Sequence, residues 1–238
     1  MRKLTVTNVL LGLLTMAIIA QPLVATATHQ PADKVVARGG TVEEVGTSDT
    51  AIPGEPITEE TVLLSTEFKT SSPTDLMIHV TLECSIITDV TTQGGPPPTE
   101  GGPRMSTGEA EGRIRVWAEF DGKVVPINST SENPQPHDDD NIGTDIDKVT
   151  FCNRAHKQDL TDAEDPQDGT DTLRTYLRTK SANAFNWIRL NTGNGIHNLT
   201  IKADFVPGTI TPGSAASGFV GNRMVIVEPT KMSNHAAV

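Results

Sequence analysis

The residues with the clearest chemical potential are the aspartates of an acidic stretch, PHDDDNIGTDIDKVTFC, which runs from Pro136 to Cys152. Calcium in proteins takes about six to eight oxygen ligands, mostly carboxylates and carbonyls, from a loop that curls around the ion. A second acidic stretch, DAEDPQDGTD, lies between 162 and 171 and offers further carboxylates. The candidate calcium ligands are Asp138, Asp139, Asp140, Asp145, Asp147, Asp165, Asp168 and Asp171.

The spacing of these aspartates does not follow an EF-hand. Counted from Asp138, the fifth position is Ile142 and the twelfth is Val149, where that motif has ligands. Two interpretations therefore stay open. The two acidic loops meet at one end of the fold and bind calcium, or both are solvated acidic loops without a metal. No other cofactor is indicated.

Catalytic motifs are missing from the sequence. None of the six histidines lies in HExxH, and no serine lies in GxSxG. We therefore assign no catalytic residue and expect a non-catalytic protein. A secreted hydrolase with widely spaced Asp and His partners stays open as an alternative, because such triads are recognised by their geometry.

Aromatic side chains and glycosylation sequons offer other surface sites. Trp117 and Tyr176 lie on the polar side of strand-like segments and are candidates for stacking on a ligand, whereas Trp187 is expected to anchor the core. The sequons NST and NLT make Asn128 and Asn198 candidates for glycosylation.

The N-terminal segment, residues 1–27, has the layout of a secretory signal peptide. Arg2 and Lys3 precede a short apolar run, and Ala25 and Ala27 have the spacing of a signal-peptidase site. Cleavage is expected near Ala27, with a retained N-terminal anchor as the alternative. No other apolar run is long enough to cross a bilayer, so the mature chain is expected to have no membrane span. Residues 28–56 are expected to form a flexible stalk or pro-segment.

Cysteine usage and charge agree with a secreted, extracellular protein. Cys84 and Cys152 are the only cysteines, and an even pair in an exported chain predicts a disulfide. Removal of Arg2 and Lys3 with the signal leaves 17 basic against 30 acidic residues, a net charge near −13. Such a chain repels polyanions, which excludes nucleic acid and anionic lipid as partners.

The elements that carry these residues follow a period of two. In RIRVWAEF, Ile114, Val116 and Ala118 alternate with polar or bulky neighbours, and HNLTIKADF alternates in the same way. About eight such segments, joined by long Pro/Gly-rich and acidic loops at 91–112 and 157–171, predict an all-β antiparallel β-sandwich. The predicted domain covers 57–232, followed by a tail at 233–238. Within SANAFNWIRLN, one helical turn is as compatible with the sequence as none.

Two resemblances refine this expectation. The order Cys84, Trp117, Cys152 is similar to that of immunoglobulin-like domains, although Thr150 stands where that family has a tyrosine. Residues 179–232, with GIHNLTI followed by GNRMVIVE, resemble the closing strands of uncharacterised secreted β-sandwich proteins from prokaryotes. A similar corner and strand occur in jelly-roll carbohydrate-binding modules. The resemblance implies the fold and brings no activity with it.

The sequence therefore predicts a secreted, non-catalytic β-sandwich with a structural or adhesion role at the cell surface or in the extracellular matrix. The alternative is a carbohydrate- or protein-binding module that is calcium-dependent if the acidic loops bind the ion. A structural subunit is expected to self-assemble, for example by donating its N-terminal segment as an added strand.

Overall fold

The protein is described by a computed structural model, which defines residues 35–49, 60–93, 104–127, 147–162 and 172–230. Within these ranges all regular structure is β-strand, so the all-β prediction is confirmed, with ten strands in place of about eight. The strands are β1 (Val35–Gly39), β2 (Glu43–Ser48), β3 (Thr61–Thr70), β4 (Thr74–Gln93), β5 (Arg104–Phe120), β6 (Lys123–Val124), β7 (Val149–Asp162), β8 (Thr172–Thr192), β9 (Gly195–Ile210) and β10 (Ala215–Thr230).

The strands form two antiparallel sheets that pack face to face, which confirms the predicted β-sandwich. In sheet I, β10 and β4 are central, β1 and β2 both pair with the outer side of β10, and β8 forms the opposite edge. In sheet II the order is β3, β9 and β5, with β6 and β7 both pairing with the far side of β5.

The core follows directly from the alternation of side chains along the strands. In β4 the residues Leu76, Ile78 and Val80 face the interior and are at most 1% exposed, because successive residues of a strand point to opposite faces. The ring of Phe205 occupies the narrowest part of the core: a Cβ added at Gly112 or Gly218 would lie only 2.5 or 2.6 Å from it. The core position expected for Trp187 is confirmed by its 1% exposure.

The predicted disulfide is confirmed, and it joins the two sheets. Cys84 lies in β4 of sheet I and Cys152 lies in β7 of sheet II. The Oγ of Ser181, on β8, is 3.1 Å from the Sγ of Cys152. The ring of Phe151, the residue before Cys152, is stacked at 6.4 Å from that of Trp187, so the tryptophan that packs on this part of β7 in the core is Trp187 and not Trp117.

The predicted boundaries of the stalk and of two loops need correction. Residues 35–48 belong to sheet I as β1 and β2, so the predicted stalk over 28–56 is wrong for this part. Val45 is 1% exposed because it packs into the core, and burial of this kind fixes a segment in a sheet. These strands pair with β10 of the same chain.

The predicted loops are shorter than expected, because strand pairing overrides local composition. β5 begins at Arg104 inside the Pro/Gly-rich loop, β7 continues to Asp162 inside the acidic loop, and SANAFNWIRLN lies entirely in β8. The predicted signal peptide at 1–27 and the tail at 233–238 lie outside the described residues.

Candidate functional site

The outer face of sheet I carries a groove with a volume of about 600 Å³. It crosses the sheet from one edge to the other. Residues 38–40 at the end of β1, 222–224 of β10, 81–83 of β4 and 182–184 of β8 line it. We call this feature the sheet I groove.

The sheet I groove exists because alanines occupy the β8 positions of two neighbouring outward rows of the sheet. Thr81 on β4 pairs with Met224 on one side and with Ala184 on the other, and Glu83 pairs with Ala182. Paired residues in an antiparallel sheet share a face. The short alanine side chains therefore leave space above the sheet that larger side chains at these positions would occupy. The register of β10 also shifts between Val220 and Arg223, and such a bulge bends its strand locally.

The polar groups in the sheet I groove are held in place by their neighbours. Glu83 accepts hydrogen bonds from Lys180 at 2.8 Å and from Asn222 at 3.0 Å. The hydrogen bond from Lys180, together with the smaller effect of Asn222, holds the pKa of Glu83 below its usual value. The groove therefore presents one ionised carboxylate beside an amide and a threonine hydroxyl.

One wall of the sheet I groove is fixed by Arg223. Its Nη2 donates to Glu43 at 2.6 Å, and its Nε donates to the main-chain carbonyl of Leu63 at 2.7 Å. Leu63 lies in β3 of sheet II, so this side chain ties the groove to the second sheet. The groove is therefore built on paired strands and does not depend on a loop for its shape.

The stacking role predicted for Trp117 is wrong, because its ring is only 1% exposed. The residue does lie on the outer face of sheet II, as its position in the alternating pattern indicates. There, however, Lys148 covers it with its Nζ 4.0 Å from the ring centroid. Tyr176 is 61% exposed on β8 of sheet I and stays a candidate for stacking.

Beside Trp117 lies a buried ionic cluster that the sequence pattern did not indicate. Arg115 donates two hydrogen bonds to Asp204, at 2.8 and 2.7 Å, and Lys148 donates a third at 2.7 Å. Arg115 and Asp204 are each 1% exposed. Their positions in β5 and β9 match the polar side of each strand, which is typical of surface residues, and only the strand register brings them together.

Most of the calcium candidates cannot be placed, because Asp138, Asp139, Asp140, Asp145, Asp165, Asp168 and Asp171 lie outside the described residues. Asp147 is described, and its Oδ1 accepts a hydrogen bond from the main-chain N–H of Ile127 at 2.9 Å. Within the described part of the chain no three His, Cys, Asp or Glu side chains come together as a metal site. Calcium binding stays a prediction.

The sequon residues can be placed only in part. Asn198 is exposed near the start of β9, and its Oδ1 lies 3.3 Å from the Oγ of Ser65. A side chain on the outer face of a sheet is open to a glycan, so Asn198 stays a candidate for glycosylation. Asn128 lies outside the described residues.

One histidine takes part in a clamp at the end of sheet II. The Nδ1 of His197 lies 2.9 Å from Asp121 Oδ2, and its ring packs 4.9 Å from that of Phe120. The other oxygen of Asp121 accepts the main-chain N–H of Asn198 at 2.8 Å. Burial by itself raises the pKa of Asp121, but the hydrogen bonds from His197 and Asn198 outweigh it, so the pKa lies below its usual value.

This clamp predicts a pH dependence of stability. Because the folded state lowers the pKa of Asp121, its contribution is present at neutral pH and is lost as the pH falls through that lowered pKa. Asp121→Asn is therefore expected to lower the melting temperature at neutral pH and to flatten the fall of melting temperature below about pH 4. Thermal unfolding from neutral to acidic pH measures both effects. The control is Asp159→Asn, which changes a carboxylate bonded to Thr107 at the surface; an equal flattening there would contradict the assignment.

Comparison with known proteins adds no assignment. No protein-family model matches the chain, and no curated protein matches it. Among solved structures, a chain of infectious bursal disease virus Gt strain is 10% identical with a TM-score of 0.17, and a chain of the Gx strain is 10% identical with a TM-score of 0.14. The alignments cover 92% and 87% of this chain but only 46% and 48% of the viral chains, so this chain spans about half their length. Likeness at this level carries no argument about function.

No sequence motif marks the residues that line the sheet I groove. Ala182 and Ala184 were part of a segment with an ambiguous helix or strand pattern, and Asn222 lay in a predicted final strand. The available signal was the run of small residues on one parity of β8. That signal becomes a groove only when the pairings with β4 and β10 are known.

Proposed function

We propose that the protein is a secreted, non-catalytic adhesion module that binds an extended segment of an extracellular protein in the sheet I groove. The observation that carries the proposal is the groove itself, an open channel that crosses four strands and has a floor of small side chains. The inter-sheet disulfide and the signal-like segment at 1–27 support export, because disulfides persist in oxidising compartments. Among the described residues, no helix is long and apolar enough to cross a membrane.

The dimensions of the groove favour an extended chain as the ligand. Neighbouring strands lie about 4.8 Å apart, so four strands span roughly 14 Å, which is the length of about four residues of an extended peptide. The lining combines glycine, alanine, leucine and methionine with polar or charged residues, which are Arg38, Thr81, Glu83, Asn183, Asn222 and Arg223. Sugar sites commonly use aromatic rings, and the groove lining includes none, so a peptide segment fits better than a glycan.

A variant that fills the groove tests this proposal. Ala184→Trp places an indole on the floor of the sheet I groove, whereas Ala155→Trp makes the same change at an exposed position of β7 in sheet II. Wild-type protein and both variants are applied to an array of immobilised extended peptides and to a panel of soluble polysaccharides. We expect the wild type and Ala155→Trp to retain the same peptides, and Ala184→Trp to lose about tenfold or more in affinity.

Three outcomes would count against the proposal. Absence of peptide binding by the wild type, or equal binding by all three proteins, overturns the groove as a peptide site. Binding of polysaccharide that is lost only in Ala184→Trp overturns the choice of a peptide and establishes the carbohydrate-binding alternative. All three proteins are compared at the same fraction folded, measured by thermal unfolding.

A further inference from the structure

We propose that the free edge of β8 pairs with the β8 strand of a second copy of this chain, antiparallel and centred on Ala182. The pairing joins two copies of sheet I into one continuous sheet and connects their two grooves. The inference rests on the proposed function, because it extends the binding site proposed above. Its own test uses no ligand, so the two can fail separately.

The free edge of β8 is long and regular. The strand has 21 residues, and its pairing with β4 continues without a break from Thr172 to Arg189. Among the described residues, no strand pairs with its other side. Sheet edges that avoid association are short, bulged, charged or broken by proline. This segment contains neither proline nor glycine, and two of its four basic side chains are paired with carboxylates of β4.

The outward side chains of β8 are complementary to themselves about Ala182. Tyr176 precedes it by six residues and Ile188 follows it by six, so an antiparallel pair centred on Ala182 places each Tyr176 opposite the partner copy's Ile188. These two side chains are 61% and 39% exposed, and aromatic and β-branched residues stabilise a sheet when they lie opposite each other. The same register sets each outward basic residue against a neutral one: Lys180 against Ala184, Arg178 against Asn186, and Arg174 against Leu190.

The charge of β8 also favours pairing of two copies at this edge. Two copies with a net charge of −11 over the full sequence repel each other at most surfaces. β8 carries four basic residues and no acidic one. Two of the basic groups are already held by carboxylates of β4, since Lys180 lies 2.8 Å from Glu83 and the Nε of Arg174 lies 2.8 Å from Asp89. Two β8 edges therefore approach without the general repulsion between the acidic chains.

The sheet I groove gives the pairing a functional consequence. Residues 182–184 line the groove and also lie at the edge of the sheet, so the groove ends where the second copy would begin. A two-fold axis at Ala182 places both grooves on the same face of the joined sheet. A single chain then holds half of a longer channel, which would take an extended segment about twice as long.

Cysteine cross-linking tests the register. Paired Cα atoms across an antiparallel sheet lie about 4.5–5.5 Å apart, within the range for a disulfide. The two native cysteines are bonded to each other. Under mild oxidation, we expect Ala182→Cys to give a covalent dimer on a non-reducing gel, and Asn186→Cys, which would lie opposite Arg178, to give about tenfold less. Equal yields from the two variants, or a higher yield from Asn186→Cys, would overturn the proposal.

A pair of charge variants tests the same contact without oxidation. In Tyr176→Lys/Ile188→Lys the pairing places like charges opposite each other, and in Tyr176→Glu/Ile188→Lys it places opposite charges there. Neither position lines the groove. Sedimentation velocity is expected to show a dimer for the wild type and the Glu/Lys variant, with a dissociation constant about tenfold or more higher for the Lys/Lys variant. A wild-type protein that sediments as a monomer at all concentrations, or two variants that behave alike, would overturn the proposal.

Discussion

Asp204→Asn is expected to lower the free energy of unfolding by about 3–5 kcal/mol, the cost of breaking a buried ion pair by removing one partner. Asp204 is 1% exposed and accepts hydrogen bonds from two cations, Arg115 and Lys148. The amide keeps the shape of the side chain but removes the negative charge that balances them. The measurement is urea unfolding of the wild type and the variant, followed by intrinsic tryptophan fluorescence.

Two further variants distinguish the stability effect of the buried ion pair from that of a surface ion pair. Glu60→Gln removes one of the two carboxylates that pair with Lys202, at an exposed bridge of 2.9 Å, and is expected to cost less than about 1 kcal/mol. Arg115→Met/Asp204→Leu removes the fully buried pair and is expected to be more stable than Asp204→Asn alone, because the buried guanidinium leaves together with its partner and only Lys148, which is 17% exposed, loses its carboxylate. If Asp204→Asn cost no more than Glu60→Gln, the cluster would contribute nothing to stability and its burial would need another reason.

The same cluster illustrates where sequence reasoning reaches its limit. The alternation in β5 assigned Ile114, Val116 and Ala118 to the core correctly, and each is 0% exposed. It placed Trp117 on the polar side of the strand as a candidate for stacking on a ligand, yet Lys148 covers its ring. A period of two tells which residues share a side of a strand. It does not tell what lies on top of that side, because the covering residues come from a different part of the chain.

The predictions of strand boundaries were wrong for a related reason. The segments of β1 and β2 are short and lie in a stretch rich in glycine, threonine and glutamate, so composition favoured a stalk over 28–56. Their partner, β10, begins at Ala215, and no local pattern indicates a pairing over that distance. In β8, the small residues of SANAF allowed a helical turn, but pairing with β4 holds them extended. Tertiary context overrode local preference in both places.

The disulfide could be predicted from the sequence because it needs only two cysteines and an oxidising compartment. The sheet I groove could not, because it needs the register of β1, β10, β4 and β8 at neighbouring rows. Its alanines and glycines carry no chemical signature of their own. What the sequence predicted correctly was therefore the fold and one covalent contact, while the candidate binding surface depends on long-range pairing.

Cys84→Ala/Cys152→Ala is expected to lower the free energy of unfolding by about 4 kcal/mol, the chain-entropy value for a cross-link between residues of this separation. The bridge joins residues 68 apart in sequence and connects β4 to the edge strand β7. Chemical unfolding of the variant and of the wild type measures the loss. Wild-type protein reduced before unfolding is the control and is expected to match the variant, since both lack the cross-link.

Because the bridge attaches the edge strand β7, we expect its removal to destabilise β7 more than the rest of the sandwich. Beyond Cys152, the inward residues of β7 are polar: Arg154 donates to Thr88 at 3.2 Å, and Gln158 accepts from Thr175 at 2.6 Å. Net hydrogen-bond contributions of about 1 kcal/mol each are smaller than the apolar burial that holds the other end of the sheets. Amide hydrogen exchange in 153–162 should therefore accelerate more in the double variant than exchange in 199–205 of β9. Uniform acceleration along both strands would show that the disulfide stabilises the whole sandwich equally and does not specifically hold the edge strand β7.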